Sequence, residues 1–185
     1  MIEQVEQADG RVALGHIGGR SAHKGAALIE AVLRKNEFDR LHLTMVDGML
    51  ERGQAIDTMW GTTPVTLIAP RPQSEVAQLY GALDVLLAPS TWPESFGLVT
   101  REALQCGLWV VASDLGAIGQ DIVEGQNGEV VSVVTAAELC QVLQKIDGNS
   151  DRYIFNDRTL VKKPRRRPSD QASEIYSIYK GIKPL

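Results

Sequence analysis

Short apolar runs alternate with longer stretches of helical periodicity, and this alternation constrains the fold more than any other feature of the chain. Six runs read as strands: Val12-Ala13-Leu14-Gly15-His16-Ile17, Leu41-His42-Leu43-Thr44-Met45-Val46, Val65-Thr66-Leu67-Ile68-Ala69, Asp84-Val85-Leu86-Leu87-Ala88, Trp109-Val110-Val111-Ala112 and Glu129-Val130-Val131-Ser132-Val133. Several are near-continuous Val/Leu/Ile, without the polar alternation of a half-solvated strand. That is the pattern of a parallel sheet with helices on both faces. Between the runs, residues 22–34 are predicted as a helix with Ser21 as N-cap and Ala27, Leu28, Ala31 and Val32 on one face. Further helices are expected over 50–60, 74–81, 98–105 and 136–146. The order implies an α/β fold with a doubly wound parallel sheet.

At 185 residues the chain suits one domain with its own core. A net charge of −4 argues against a nucleic-acid partner. No apolar run approaches a membrane span, and no signal peptide is expected at the start. Cys106 and Cys140 are too few and too distant in sequence for a disulfide framework or a zinc site, and Cys106 reads as a small apolar residue of a buried helix. His16, His23 and His42 lack metal-ligand spacing, so no metal is proposed; His42 is expected in a half-buried strand. The expected compartment is the cytoplasm.

Two strand-to-helix junctions carry the chemistry. The first reads Gly15-His16-Ile17-Gly18-Gly19-Arg20-Ser21-Ala22-His23-Lys24-Gly25. Gly18 and Gly19 allow a tight bend and close approach of backbone to a ligand. Arg20 and Lys24 flank a helix start, where cations are disfavoured unless an anion is present or the side chains extend into water. The second reads Ala88-Pro89-Ser90-Thr91-Trp92-Pro93-Glu94-Ser95-Phe96-Gly97-Leu98-Val99-Thr100-Arg101-Glu102. A Pro/Ser/Gly loop running into a helix start is an anion site, because the first helical N–H groups have no intrahelical partner. Glu94 and Glu102 bracket it. They cannot hold a phosphate, but they can accept hydrogen bonds from hydroxyls attached to one. That is the profile of a nucleotide diphosphate sugar. A glycoside hydrolase carboxylate pair would leave the phosphate-binding surroundings without a purpose.

The Glu94–Glu102 stretch with its Phe96-Gly97 centre, followed by Ala103-Leu104-Gln105-Cys106-Gly107 and Val110-Val111-Ala112-Ser113-Asp114, resembles the C-terminal half of a family 4 retaining glycosyltransferase (glycosyl transferases group 1). These are GT-B enzymes built from two Rossmann-like domains. The resemblance covers about 12–131, with a weaker echo near the C-terminus. It implies that Arg20 and Lys24 neutralise the donor diphosphate. Glu102 would accept from the ribose hydroxyls, and Glu94 would bind a hexose hydroxyl and help place the anomeric carbon. The N–H groups of Phe96, Gly97 and Leu98 would meet phosphate or sugar oxygens. The loop Pro70-Arg71-Pro72-Gln73-Ser74 would hold the nucleobase, with Arg71 either stacked on it or exposed. Catalysis is expected to rest on Glu94, Arg20 and Lys24, without a cofactor or metal.

The chain departs from the family pattern where Trp109 replaces a frequent Pro, and where Gly-Gly-x-Pro-Glu becomes Gly116-Ala117-Ile118-Gly119-Gln120. The Gly125-Gln126-Asn127-Gly128 turn is retained. The expected organisation is a polar start over 1–10, a Rossmann-like nucleotide-sugar-binding domain over 11–150, and a basic linker with a C-terminal helix over 151–185. The linker, Lys162-Lys163-Pro164-Arg165-Arg166-Arg167-Pro168, is either a solvated hinge or a contact for anionic lipid at the inner face of the membrane. Residues 169–181 are predicted as a helix. The acceptor-binding domain that the family places before Val12 is absent, so the expectation is a shortened chain that binds nucleotide but transfers little sugar. The reaction implied is retaining hexosyl transfer to a glycan or lipid-linked acceptor, in polysaccharide biosynthesis. Two rivals stand beside it: a non-catalytic nucleotide-sugar-binding module, and a nucleotide-sugar epimerase of the same fold.

Overall fold

The computed structural model describes residues 10–154. The basic segment and the helix predicted over 169–181 lie outside the described residues. Within them, seven strands form one sheet: β1 (Val12–His16), β2 (Leu41–Val46), β3 (Ala55–Trp60), β4 (Thr63–Ile68), β5 (Val85–Ala88), β6 (Trp109–Ser113) and β7 (Gly128–Val131). The helices are α1 (Ala26–Lys35), α2 (Gln73–Gly81), α3 (Leu98–Gln105), α4 (Ala137–Gly148) and α5 (Ser150–Tyr153).

The strand order is β3-β4-β2-β1-β5-β6-β7. Every pairing is parallel except β3 with β4. The apolar runs are explained by burial on both faces. In β5, Val85 and Leu87 join the core that includes α1 and α4, while Leu86 and Ala88 join the core that includes Ala103 of α3. All four are buried, so no polar alternation survives in the sequence.

Two expectations need correction. Residues 50–60 do not form a helix; 55–60 are the edge strand β3, antiparallel to β4. Trp60 pairs with Thr63 across a two-residue turn whose first central residue is Gly61, at φ +61°. A glycine there suits the tight hairpin turns that match strand twist. The helix expected over 22–34 is also broken. Ala22–Lys24 form a single 3-10 turn, Gly25 adopts a left-handed conformation, and α1 starts only at Ala26. Ser21 caps the 3-10 turn through its backbone position alone, without a side-chain hydrogen bond.

The chain leaves β1 toward β2 on one side and returns through β5 and β6 on the other. The sheet order therefore reverses between β1 and β5. The crevice outside the carboxyl ends of strands at such a reversal is where open α/β sheets place ligands. Both glycine-containing junctions start there.

Candidate functional site

The first junction is anchored by His16, the last residue of β1, which is buried. Its Nδ1 lies 2.8 Å from the Leu87 carbonyl and its Nε2 3.1 Å from the Gly19 carbonyl. The ring thus sits between the glycine bend and β5, and when neutral it donates its single N–H to one of the two carbonyls. Burial lowers its pKa, more than the two carbonyls raise it, with nearby Lys24 adding to the depression. The unfolded imidazole titrates at about 6.5, so below that pH the unfolded chain binds more protons and stability falls with pH. The loss flattens once the pH passes below the folded-state pKa. His42, whose pKa is also lowered mainly by burial, contributes with the same sign. Unfolding in urea between about pH 7.5 and 5.5 should show His16→Gln with a shallower acid slope than the parent, the two differing by at most about 1.4 kcal/mol per pH unit. Parallel slopes would refute a titrating His16.

The second junction leaves β5 through Pro89 and Ser90 and enters α3 at Gly97. It packs directly on the first. Thr91 donates its N–H to the His23 carbonyl at 2.9 Å, and Ser90 Oγ lies 2.9 Å from the same oxygen. Gly25 sits so close to Pro89 that a Cβ would fall 2.0 Å from its carbonyl oxygen. Across this contact Lys24 Nζ meets Glu94 Oε1 at 2.9 Å, both side chains being partly buried. The cation and the loop carboxylate predicted from separate junctions are therefore direct partners.

A third loop, after β6, fixes Glu94 from behind. Ala117 donates its N–H to the Glu94 carbonyl at 2.6 Å, and Glu94 pairs with Gly116 as an isolated parallel bridge. Gly116 is at φ +76°, and a Cβ there would fall 2.4 Å from the Glu94 carbonyl. Thr100 Oγ1 lies 2.9 Å from both the Gly97 and the Ile118 carbonyls. The loop that lacks the Pro and Glu of the family pattern thus holds the backbone of Glu94 and the start of α3. Gly97, at φ +67°, is the N-cap of α3. The N–H groups that follow it have no intrahelical acceptor.

The other predicted residues are placed as follows. Gly18 lies against Lys24, with a built Cβ 3.0 Å from Lys24 Cβ, and Gly19 is open at φ +71°. Phe96 and Leu98 are exposed beside Gly97, with the Arg101 guanidinium 4.0 Å from the Phe96 ring centroid. Arg20 is turned toward carboxylates, 3.5 Å from Asp47 and 3.7 Å from Glu30. Arg71 lies 3.7 Å from Glu75, on the next turn of its own segment. Among the described residues neither arginine side chain forms a hydrogen bond or ion pair with another predicted site residue. Glu102, one turn into α3, accepts from the Tyr80 hydroxyl at 2.9 Å. Sequence reasoning missed Asp47, Glu30 and Tyr80. Asp47 did carry a signal, being a charged residue directly after an apolar strand at the sheet's carboxyl edge. Among the described residues no cluster of three or more His, Cys, Asp or Glu could hold a metal ion, and no helix is long and apolar enough to cross a membrane.

Residues 2–153 match the family described as glycosyl transferases group 1. The chain belongs to that family. It is 31% identical over 153 residues to the D-inositol 3-phosphate glycosyltransferase of Corynebacterium kroppenstedtii, covering 76% of this chain and 34% of that one. The Corynebacterium urealyticum protein of the same name is 42% identical over 119 residues, covering 64% of this chain and 28% of that one. The chain thus spans about a third of the length of the curated relatives it matches. In fold it is similar to Anabaena HepE in complex with UDP, with a TM-score of 0.68 at 18% identity over 92% of this chain and 49% of that one. It is also similar to the C-terminal domain of a glycosyl transferase group 1 protein, LpcC of Francisella tularensis, with a TM-score of 0.56 at 19% identity, covering 78% and 80%. The fold is the C-terminal, Rossmann-like half of a GT-B glycosyltransferase.

Proposed function

We propose that this glycosyltransferase domain binds a nucleotide diphosphate sugar, as the donor half of an enzyme that transfers a hexose with retention at the anomeric carbon. The observation that carries the reading is the Lys24–Glu94 pair at 2.9 Å across the switch point. It joins a cation suited to a diphosphate and a carboxylate suited to a sugar hydroxyl in one spot. A ligand threaded through this spot has its phosphates near Lys24 and the free N–H groups at the start of α3, its ribose toward Glu102 and its hexose toward Glu94. The solved HepE complexes with UDP and with UDP-glucose are of the same fold.

The chemistry follows from where charge develops. As the bond from the anomeric carbon to the diphosphate breaks, negative charge grows on the leaving oxygen. Fixed donors aimed at that charge stabilise it without reorganisation. Lys24 and the helix amides are fixed in this way. Arg20, which lies 3.5 Å from Asp47 and 3.7 Å from Glu30, joins them by exchanging or sharing these carboxylates. These groups neutralise the diphosphate without a metal. The acceptor and the opposite wall of the cleft belong to the family's other domain, so this chain alone binds donor and transfers little or no sugar.

A thermal-shift panel of UDP, GDP and ADP with their hexose conjugates tests the reading. At about 100 times its Kd, a ligand should add about 2.7 kcal/mol of stability. The shift should survive a chelator and fall in Arg20→Ala and Lys24→Ala. Turnover at ordinary enzyme rates by the chain alone would remove the requirement for a second domain. A chain that responds to none of these ligands would end the donor reading.

A further inference from the structure

Tyr80 is the last residue but one of α2 and is almost fully buried, its ring packed in the same core as Leu83, Leu86 and Ala103. Only its hydroxyl reaches toward the site. It lies 2.9 Å from Glu102 Oε2 and 3.3 Å from the Val99 carbonyl. A phenol has one hydrogen to give, and the shorter, charge-assisted acceptor takes it. Burial and the neighbouring Glu102 charge push the phenol's pKa far above its ordinary value, so it is a permanent donor. Among the described residues no second hydrogen bond reaches the Glu102 carboxylate. One hydrogen bond therefore fixes Oε2, and the remaining lone pairs of the carboxylate are left for a ligand.

We infer that Tyr80 is a positioning residue, which fixes the Glu102 carboxylate so that it accepts from the vicinal hydroxyls of the donor's ribose. The inference rests on the donor-binding reading above. Its physical basis is preorganisation. A glutamate side chain loses several rotamers when it grips a ligand, and that loss weakens binding. The buried ring is locked by core packing, so its hydroxyl holds the carboxylate in place before the ligand arrives. Without the phenol the carboxylate still carries its charge, but it no longer waits in one position. Recognition of the diol should then suffer, whereas recognition of the phosphates and base should not.

The test is Tyr80→Phe, which keeps the ring and its packing. Dissociation constants are measured by calorimetry for UDP, GDP and ADP, each against its 2′,3′-dideoxy counterpart. The parent should prefer the ribose form of its nucleotide by about tenfold or more, as expected for hydrogen bonds to a charged group. In Tyr80→Phe that preference should drop to about threefold or less, with the dideoxy affinity unchanged within about twofold. Glu102→Gln, which removes the charged acceptor, should lose the preference as well, and the double variant should lose no more than Glu102→Gln alone. If Tyr80→Phe keeps the full preference, or weakens both forms equally, the inference is overturned. A parent that binds a nucleotide but ignores the diol removes Glu102 from ribose recognition and the inference with it. A parent that binds none of the three removes the donor reading itself. These failures are distinguishable because the parent is measured on both members of each pair.

Discussion

Gly25→Ala is expected to cost about 3 kcal/mol of folding stability, against about 1 kcal/mol for Gly53→Ala. Both glycines sit at φ +84°, so any side chain meets the same left-handed strain at each. The surroundings differ. A Cβ at Gly53 has nothing within 4 Å, whereas one at Gly25 would fall 2.0 Å from the Pro89 carbonyl oxygen and 2.7 Å from its carbon. The obstacle is backbone, and it cannot rotate aside as a side chain could. Relief requires the two junctions to separate, which breaks the Thr91–His23 and Ser90–His23 contacts as well. Urea unfolding measures the difference directly: the midpoint should fall much further in Gly25→Ala, with a similar m-value in both variants. Gly25→Ala should also lose its thermal response to nucleotides, while Gly53→Ala keeps it. Equal destabilisation of the two would mean that the junctions are not in contact.

The same glycine shows what could be read in the sequence and what could not. The sheet was legible because double-sided burial writes itself into composition: every residue of β5 is buried, and the run is purely apolar. The junction sequences were legible because glycines, Arg20, Lys24 and the two glutamates cluster at strand ends. The break at Gly25 was not foreseen, although an isolated glycine in a helical pattern is a recognised warning. The edge strand β3 was misread because Ile56, Met59 and Trp60 stand three and four residues apart, which satisfies a helix face as well as a strand. Hairpin pairing with β4 decided the matter, and pairing is a tertiary fact. The partners of the site residues were illegible for a related reason. Arg20 finds Asp47 and Glu102 finds Tyr80 across long sequence separations, and nothing local announces either contact.

Lys24→Ala should weaken nucleotide diphosphate binding about ten- to hundredfold, the loss of one charge-assisted hydrogen bond together with a partly buried cation. The more telling variant is Glu94→Gln. Glu94 lies 2.9 Å from Lys24, with the two side chains only 22% and 33% exposed. A diphosphate arriving at Lys24 therefore meets a cation already engaged and a carboxylate that repels it. Removing that negative charge while keeping the shape of the side chain should tighten binding of the bare diphosphate by a fewfold. The sugar conjugate gains the same electrostatic relief but loses a charged acceptor for its hexose hydroxyl, so its advantage over the bare nucleotide should vanish. The gain for the bare diphosphate should shrink at high salt, and in a Lys24→Ala background it should be much smaller, because the competing ion pair is then already gone. Calorimetric titration of the four proteins in this cycle separates two roles for Glu94. If Glu94→Gln weakens the bare nucleotide and its conjugate alike, the carboxylate serves to hold Lys24 in position. If it tightens the bare nucleotide and removes the conjugate's advantage, the carboxylate reads the sugar, at the cost of opposing the phosphates beside it.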